Sequence, residues 1–315
     1  MESGQAFYEA VAARVEERLF GVRVPLRLVL AGILTDSHVL IDDVPGVGKT
    51  TLVRTLASLL GLRFQRVQFT PDLMPSDITG ASVLDLATNE FRFREGPVFT
   101  QVLLADEINR ATPKTQAALL EAMQERQVTA DGTTYKLPEP FFVLATQNPV
   151  ELEGTFPLPE AQLDRFLLRV AIGYPSEAEE ERILERAPAA RARPVEALPE
   201  AGDLHALREA VGSVRIEEPV RRYVVSLARA TREHPDVQVG ASPRAVEHLG
   251  DAIRAAALLD GRAFCLPDDV KALAHPVLEH RLVLTTDARI RDRTPAEILE
   301  EVLEEVPVPV ESFER

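Results

Sequence analysis

The stretch from Val39 to Thr51 constrains this chain more than any other. Val39-Leu40-Ile41 is a short uncharged apolar run, of the kind that fits a strand buried on both faces. Val44-Pro45-Gly46-Val47-Gly48-Lys49-Thr50-Thr51 follows, and Thr51 to Leu60 reads as a helix. A buried strand, a glycine-rich turn and a helix start gather backbone N–H groups around one point, where they can cradle phosphate oxygens. Lys49 then supplies a charge to the β- and γ-phosphates, and the Thr50 hydroxyl completes a Mg²⁺ shell. Phosphate loops carry a further glycine six residues before the lysine. Here that position is Asp43, with Asp42 beside it. Two carboxylates would oppose a triphosphate, although Asp tolerates turn conformations. The competing reading is a strand-to-helix turn that binds nothing; the strand and helix context favours a nucleotide.

Other short apolar runs repeat the pattern. Residues 63–69, 102–105, 141–145 and 167–172 read as strands, with a helix over Pro113–Glu125 opened by Thr112-Pro113. Strands alternating with helices imply a doubly wound α/β fold. Val102 to Ala105 delivers Asp106 and Glu107 to the carboxyl edge of such a sheet, where ligands bind. One carboxylate there could hold Mg²⁺ and the other polarise an attacking water; taken alone, the pair fits an acidic helix start better. Phe141 to Ala145 delivers Asn148 to the same edge, where it could bond the water or the γ-phosphate; an Asn-Pro turn is the bland alternative.

Composition narrows the class. Lys plus Arg is 35 and Asp plus Glu is 50, a net charge of −15, which argues against a broad grip on nucleic acid. The single cysteine, Cys265, excludes an internal disulfide and a multi-cysteine metal site. No apolar run reaches the ~18 residues of a membrane span, and residues 1–20 lack a signal-peptide pattern. The chain reads as soluble and cytoplasmic. Few Asn, Met and Cys against 23 prolines hint at a heat-tolerant source.

Together these residues resemble the MoxR family of AAA+ ATPases. The resemblance extends through Gln68–Gly80, Gly96–Phe99, Leu104–Thr129, Leu158–Phe166 and Gly240–Ala245, covering residues 20 to 285. It implies an AAA+ P-loop core with a five-stranded parallel sheet between helices over residues 1–175, then a linker and a smaller all-helical lid over 176–315. It implies ATP and Mg²⁺ as ligands, with Pro45, Gly46, Val47, Gly48, Lys49, Thr50 and Thr51 on the phosphates and Phe20-Gly21 beside the adenine. Thr50 and Asp106 hold the metal, and Glu107 is the catalytic carboxylate. Asn148 matches sensor 1, Arg165 an arginine finger given to the neighbouring subunit, and Arg244 a sensor 2 reaching back to the γ-phosphate. A hexameric ring, a protein client such as a von Willebrand factor A-domain protein, and pore-facing loops at Ile78–Arg94 and Val128–Lys136 are further implications.

Behind the core, 187–199 reads as a linker, and helices are predicted near 204–211, 219–229, 242–259, 267–274 and 295–304. Two other functions stay open. One is a nucleotide-gated scaffold with little turnover, motivated by Asp42 and Asp43. The other is a DNA-associated ATPase, against which the acidic charge counts.

Overall fold

The computed structural model describes residues 2–148, 154–185, 195–198 and 204–309. In chain order, α1 (Glu2–Glu16) and α2 (Arg23–Leu34) precede β1 (His38–Asp42), α3 (Lys49–Leu59) and β2 (Phe64–Gln68). A short α4 (Pro75–Thr79) leads into a hairpin of β3 (Gly80–Asp85) and β4 (Glu90–Glu95). Then come β5 (Val102–Asp106), α5 (Pro113–Glu125), a second hairpin of β6 (Gln127–Ala130) and β7 (Thr133–Lys136), and β8 (Phe142–Gln147). The core ends with α6 (Glu160–Leu163) and β9 (Phe166–Val170).

Five strands form one parallel sheet in the order β2-β5-β8-β1-β9. Side chains alternate across a strand, and the apolar runs supply both faces. Val39, Ile41, Leu104 and Leu144 face the layer of α2 and α3, whereas Leu40, Leu103, Val143 and Ala145 face α5 through Leu119, Leu120 and Met123. Strands so sandwiched have no polar face, hence the uninterrupted Val, Leu and Ala of the sequence. Because β1, β8 and β5 are neighbours, the three segments carrying Lys49, Asn148 and Asp106 leave the same edge side by side.

The rest is α7 (Glu177–Glu185), α8 (Leu204–Ser213), α9 (Glu218–Glu233), β10 (Val237–Val239), α10 (Pro243–Leu259), α11 (Pro267–Leu278), β11 (Val283–Leu284), α12 (Thr286–Ile290) and α13 (Pro295–Glu305). The helical lid therefore also holds a small antiparallel β10–β11 pair, which an all-helical reading leaves out. Its strands are two and three residues long, too short to show a period. The predicted linker, 187–199, lies mostly outside the described residues; within it, the Leu198 N–H donates to the Leu59 carbonyl at 2.9 Å. The lid packs on α1 and α2: Leu249, Ala252 and Ile253 of α10 share a core with Val11 and Leu26, and Arg27 pairs with Asp260 at 2.6 Å. Its contact with the sheet is at the amino end, where Arg281 donates to the Phe166 and Leu167 carbonyls that open β9.

Candidate active site

The phosphate loop joins β1 to α3. Gly46 and Gly48 sit at φ of +92° and +93°, a region that L side chains avoid. A Cβ on Gly46 would meet nothing within 4 Å, so that side of the loop is an open cradle, whereas one on Gly48 would strike Leu19 Cδ2 at 2.7 Å. α3 begins at Lys49 with no acidic residue in its first turn, which leaves its free N–H groups and positive dipole end to an anion. Lys49 Nζ donates to the Asp43 carbonyl at 2.6 Å. Burial pulls its pKa below the ordinary lysine value, against the carboxylates of Asp43, Asp106, Asp42 and Glu107.

The two aspartates point elsewhere. Asp43 is 8 % exposed, and its carboxylate accepts from three backbone N–H groups: Val44 at 2.8 Å, Ile172 at 2.6 Å and Gly173 at 2.8 Å. Asp42 pairs with Arg169 at 2.6 Å. Asp43 thus ties the loop to the chain leaving β9, and its charge is spent on N–H donors.

Thr146, at the end of β8, organises the acidic pair. Its hydroxyl donates to Asp106 Oδ1 at 2.6 Å and accepts from the Glu107 N–H at 2.8 Å. Asp106 Oδ2 accepts from Arg66 Nε at 2.9 Å and Nη2 at 2.7 Å, so Arg66 must yield before a metal could use that oxygen. Glu107 holds φ 55°, ψ 50°, a left-handed conformation that costs a non-glycine residue about 1–2 kcal/mol, and its carboxylate meets Arg110 at 3.2 Å. Asn148 is buried where the chain leaves β8. Among the described residues no group of three or more His, Cys, Asp or Glu could hold a metal ion. A Mg²⁺ here would draw on Thr50, Asp106 and phosphate oxygens, the sparse hard set this ion uses with nucleotides.

Beside the loop opens a cavity of ≈ 510 Å³, roomy enough for a nucleoside. Phe20, Gly21, Gly46, Val47, Gly48 and Thr51, all among the residues expected to hold the nucleotide, line it. Ile172, Gly173, Tyr174 and Ile183 also line it, and Arg182 stacks over the Phe20 ring at 4.2 Å. Of the second half of the chain, α7 alone among the described elements contributes to this wall.

Arg165 and Arg244 lie elsewhere, together. They line a second cavity of ≈ 140 Å³ with His38, Met123, Gln124 and His248. His38 opens β1, whereas the phosphate loop follows its end. Five residues of strand place these points about 16 Å apart at ~3.3 Å per residue, beyond the reach of an arginine side chain. Arg244 therefore does not join its own phosphate loop; it joins Arg165. The reason is the docking of the lid on the amino end of the sheet.

Residues 38–168 match the ATPase family associated with various cellular activities (AAA), and residues 229–302 match the AAA lid domain. The chaperone MoxR1 of Mycobacterium tuberculosis is 44% identical over 290 residues, spanning 89% of this chain and 77% of that protein. This chain belongs to the MoxR family of AAA+ ATPases. Another relative of this MoxR-family chain, YeaC of Bacillus subtilis, is uncharacterised and 48% identical over 287 residues, 90% of this chain and 89% of its own. A crystal structure from Cytophaga hutchinsonii, provisionally assigned as an ATPase, superposes with a TM-score of 0.87 at 36% identity, covering 98% of this chain and 97% of that one. The AAA match spans the phosphate loop, Asp106, Glu107, Asn148 and Arg165, and the lid match includes Arg244. No helix among the described residues is long and apolar enough to cross a membrane.

Sequence reasoning missed Thr146, Arg66, Tyr174 and Ile183. Thr146 had a signal, a hydroxyl two residues before Asn148 that directly follows the apolar run Phe142–Ala145; the others had none.

Proposed function

We propose that this MoxR-family chain is a Mg²⁺-dependent ATPase whose sites are each completed by a neighbouring copy, and that it remodels or matures a protein client. The observation that carries this reading is the distance between the two ends of β1. The Gly46–Thr51 loop, Asp106, Glu107 and Asn148 gather at one end; Arg165 and Arg244 gather at the other. A triphosphate in one copy would then meet the arginine pair of the next, and both arginines would act in trans.

Each residue has a role in that reading. The loop N–H groups and Lys49 bind the β- and γ-phosphates, and the Phe20–Gly21 cavity takes the base. Mg²⁺, held by Thr50 and Asp106, would neutralise phosphate charge. Glu107 orients and polarises the attacking water, with Asn148 beside it. The permanently charged, forked guanidiniums of Arg165 and Arg244 meet the charge that grows on the γ-phosphate oxygens. The core over 1–175 and the linker and lid over 176–315 would move as the units of the cycle. A hexameric ring, the two hairpins at its pore, a von Willebrand factor A-domain client and a cytoplasmic location complete the reading.

The gated-scaffold alternative loses its motive, because Asp43 and Asp42 are engaged by N–H groups and Arg169. Turnover measured against protein concentration tests the proposal, for the wild type, Glu107→Gln and Arg165→Ala. The turnover number should climb with concentration in the wild type and collapse in both variants. Turnover independent of concentration and of Arg165 would refute it; bound ATP with no turnover at any concentration would return the scaffold.

A further inference from the structure

Arg281 is the feature that the proposed chemistry leaves unexplained. Its side chain is 2 % exposed, a rare situation for a guanidinium, which is costly to bury without partners. Here it is fully engaged. Nε donates to Asp164 Oδ1 at 2.7 Å, Nη2 to the Phe166 carbonyl at 2.5 Å and to His248 Nδ1 at 2.6 Å, and Nη1 to the Leu167 carbonyl at 3.2 Å and the Val277 carbonyl. Every core partner lies within Asp164–Leu167, the segment that contains Arg165.

The lid side of the same knot leads to the other arginine. Asp164 also accepts from the Ser242 hydroxyl, at 3.3 and 3.4 Å. Ser242 caps α10 by accepting from the Ala245 N–H at 3.1 Å, and Arg244 is in that first turn. His248, one turn further along α10, lines the ≈ 140 Å³ cavity with both arginines. Its Nδ1 must keep a lone pair to accept from Arg281; burial and the charges of Arg281 and Arg244 hold its pKa near 4. Arg165 and Arg244 line this cavity, and the charges of Arg244 and Arg281 both act on His248, so like charges gather here that repel one another unless an anion or a tight frame holds them. A simple staple between lid and core could be apolar, often with no loss of stability. An ionic one whose bonds, apart from that to the Val277 carbonyl one turn before it, run to residues beside Arg165 and Arg244 does something more specific.

We propose that Arg281 is a positioning residue: through Asp164, Ser242 and His248 it locks Arg165 of the core and Arg244 of the lid into one rigid unit that binds the γ-phosphate of a neighbouring copy. The lid and the core then present their arginines together or not at all. This rests on the trans-completed reading above and adds to it the device that makes the donor.

The test is a mixing experiment with full-length chains. In Arg281→Gln the copy's own phosphate loop, Asp106 and Glu107 are intact, so a fluorescent ATP analogue should bind within about twofold of wild type, which also reports folding. Turnover at saturating ATP should fall by about tenfold or more, the range of a lost arginine contribution. Asp164→Asn, which keeps the size but loses the charge, should show the same pattern to a smaller degree. Mixing Arg281→Gln with Glu107→Gln, each strongly impaired alone, should restore turnover toward about a quarter of wild type, the share of heterologous interfaces pairing them in the productive order. Arg165→Ala mixed with Glu107→Gln should recover to the same level. Mixing Arg281→Gln with Arg165→Ala should recover nothing. Wild-type turnover in Arg281→Gln and Asp164→Asn, or a loss in both that Glu107→Gln cannot rescue while it does rescue Arg165→Ala, overturns the positioning role alone. Failure of the Arg165→Ala mixture as well overturns the trans-completed site, and this inference with it.

Discussion

At the scale of single residues, sign is what the sequence conceals. Asp43 sits where a phosphate loop carries glycine, and its charge reads as an obstacle to ATP. In the folded chain its carboxylate gathers the Val44, Ile172 and Gly173 N–H groups and faces away from the cradle. Asp43→Ala is therefore expected to weaken ATP binding rather than strengthen it, because it frees the Ile172–Gly173 wall of the cavity beside the loop. It should also destabilise the fold by about 1–3 kcal/mol, the cost of leaving buried donors unpaired. Urea unfolding and nucleotide titration on one preparation check both parts; tighter binding in the variant would refute the account. Lys49, Asp106, Glu107 and Asn148 could be singled out because each closes or follows a short apolar strand, and strand ends can be read one at a time. Thr146 and Arg66 were not, since their importance lies in partners on other strands.

At the scale of elements, the two hairpins illustrate where pattern suffices. Asp131-Gly132, with φ of 49° and 78°, is the turn the sequence announces between β6 and β7, and the insertion expected over 78–94 is the β3–β4 hairpin, Gly80–Glu95. What pattern cannot supply is their mutual contact: Phe93 stacks on Tyr135 with ring centroids 4.1 Å apart and meets Phe99 edge-on at 5.7 Å. By contrast Leu86 and Phe91, 86 % and 74 % exposed, touch little. Phe93→Ala should cost roughly 1–3 kcal/mol of stability, whereas Phe91→Ser should stay within about 0.5 kcal/mol. Thermal unfolding of the pair of variants decides it, and equal losses would mean that the stacking contributes nothing. The α2 helix was missed for a related reason. Arg23–Leu34 is nearly all apolar because lid and sheet cover it on both sides, which erases the helical period.

At the scale of the whole molecule, the sequence gives the two halves but not how they dock, and that docking decides where Arg244 goes. Buried imidazoles lie along the join. His38 accepts from the Val143 N–H through Nδ1 and donates from Nε2 to the Met123 carbonyl; burial and the nearby Arg126 push its pKa down to about 3. His248 lies near 4 for the reasons given above. Both values are depressed, so the unfolded chain takes up these protons first. Their contribution to stability is therefore complete above the ordinary histidine value of about 6.5 and drains as pH falls through it toward 4, by up to about 1.4 kcal/mol per unit for each ring. Urea midpoints should drop between pH 7.5 and pH 5, before most carboxylates titrate; an unchanged midpoint would mean that neither ring is held neutral. Under the proposed trans-completed reading, β1 separates what a copy needs from what it gives. A row of copies linked through these two faces would then always have one member at its end whose nucleotide goes unserved. That deficit would shrink as the row lengthens and disappear when its ends join, so closure itself would carry a gain in rate that no further contact has to supply.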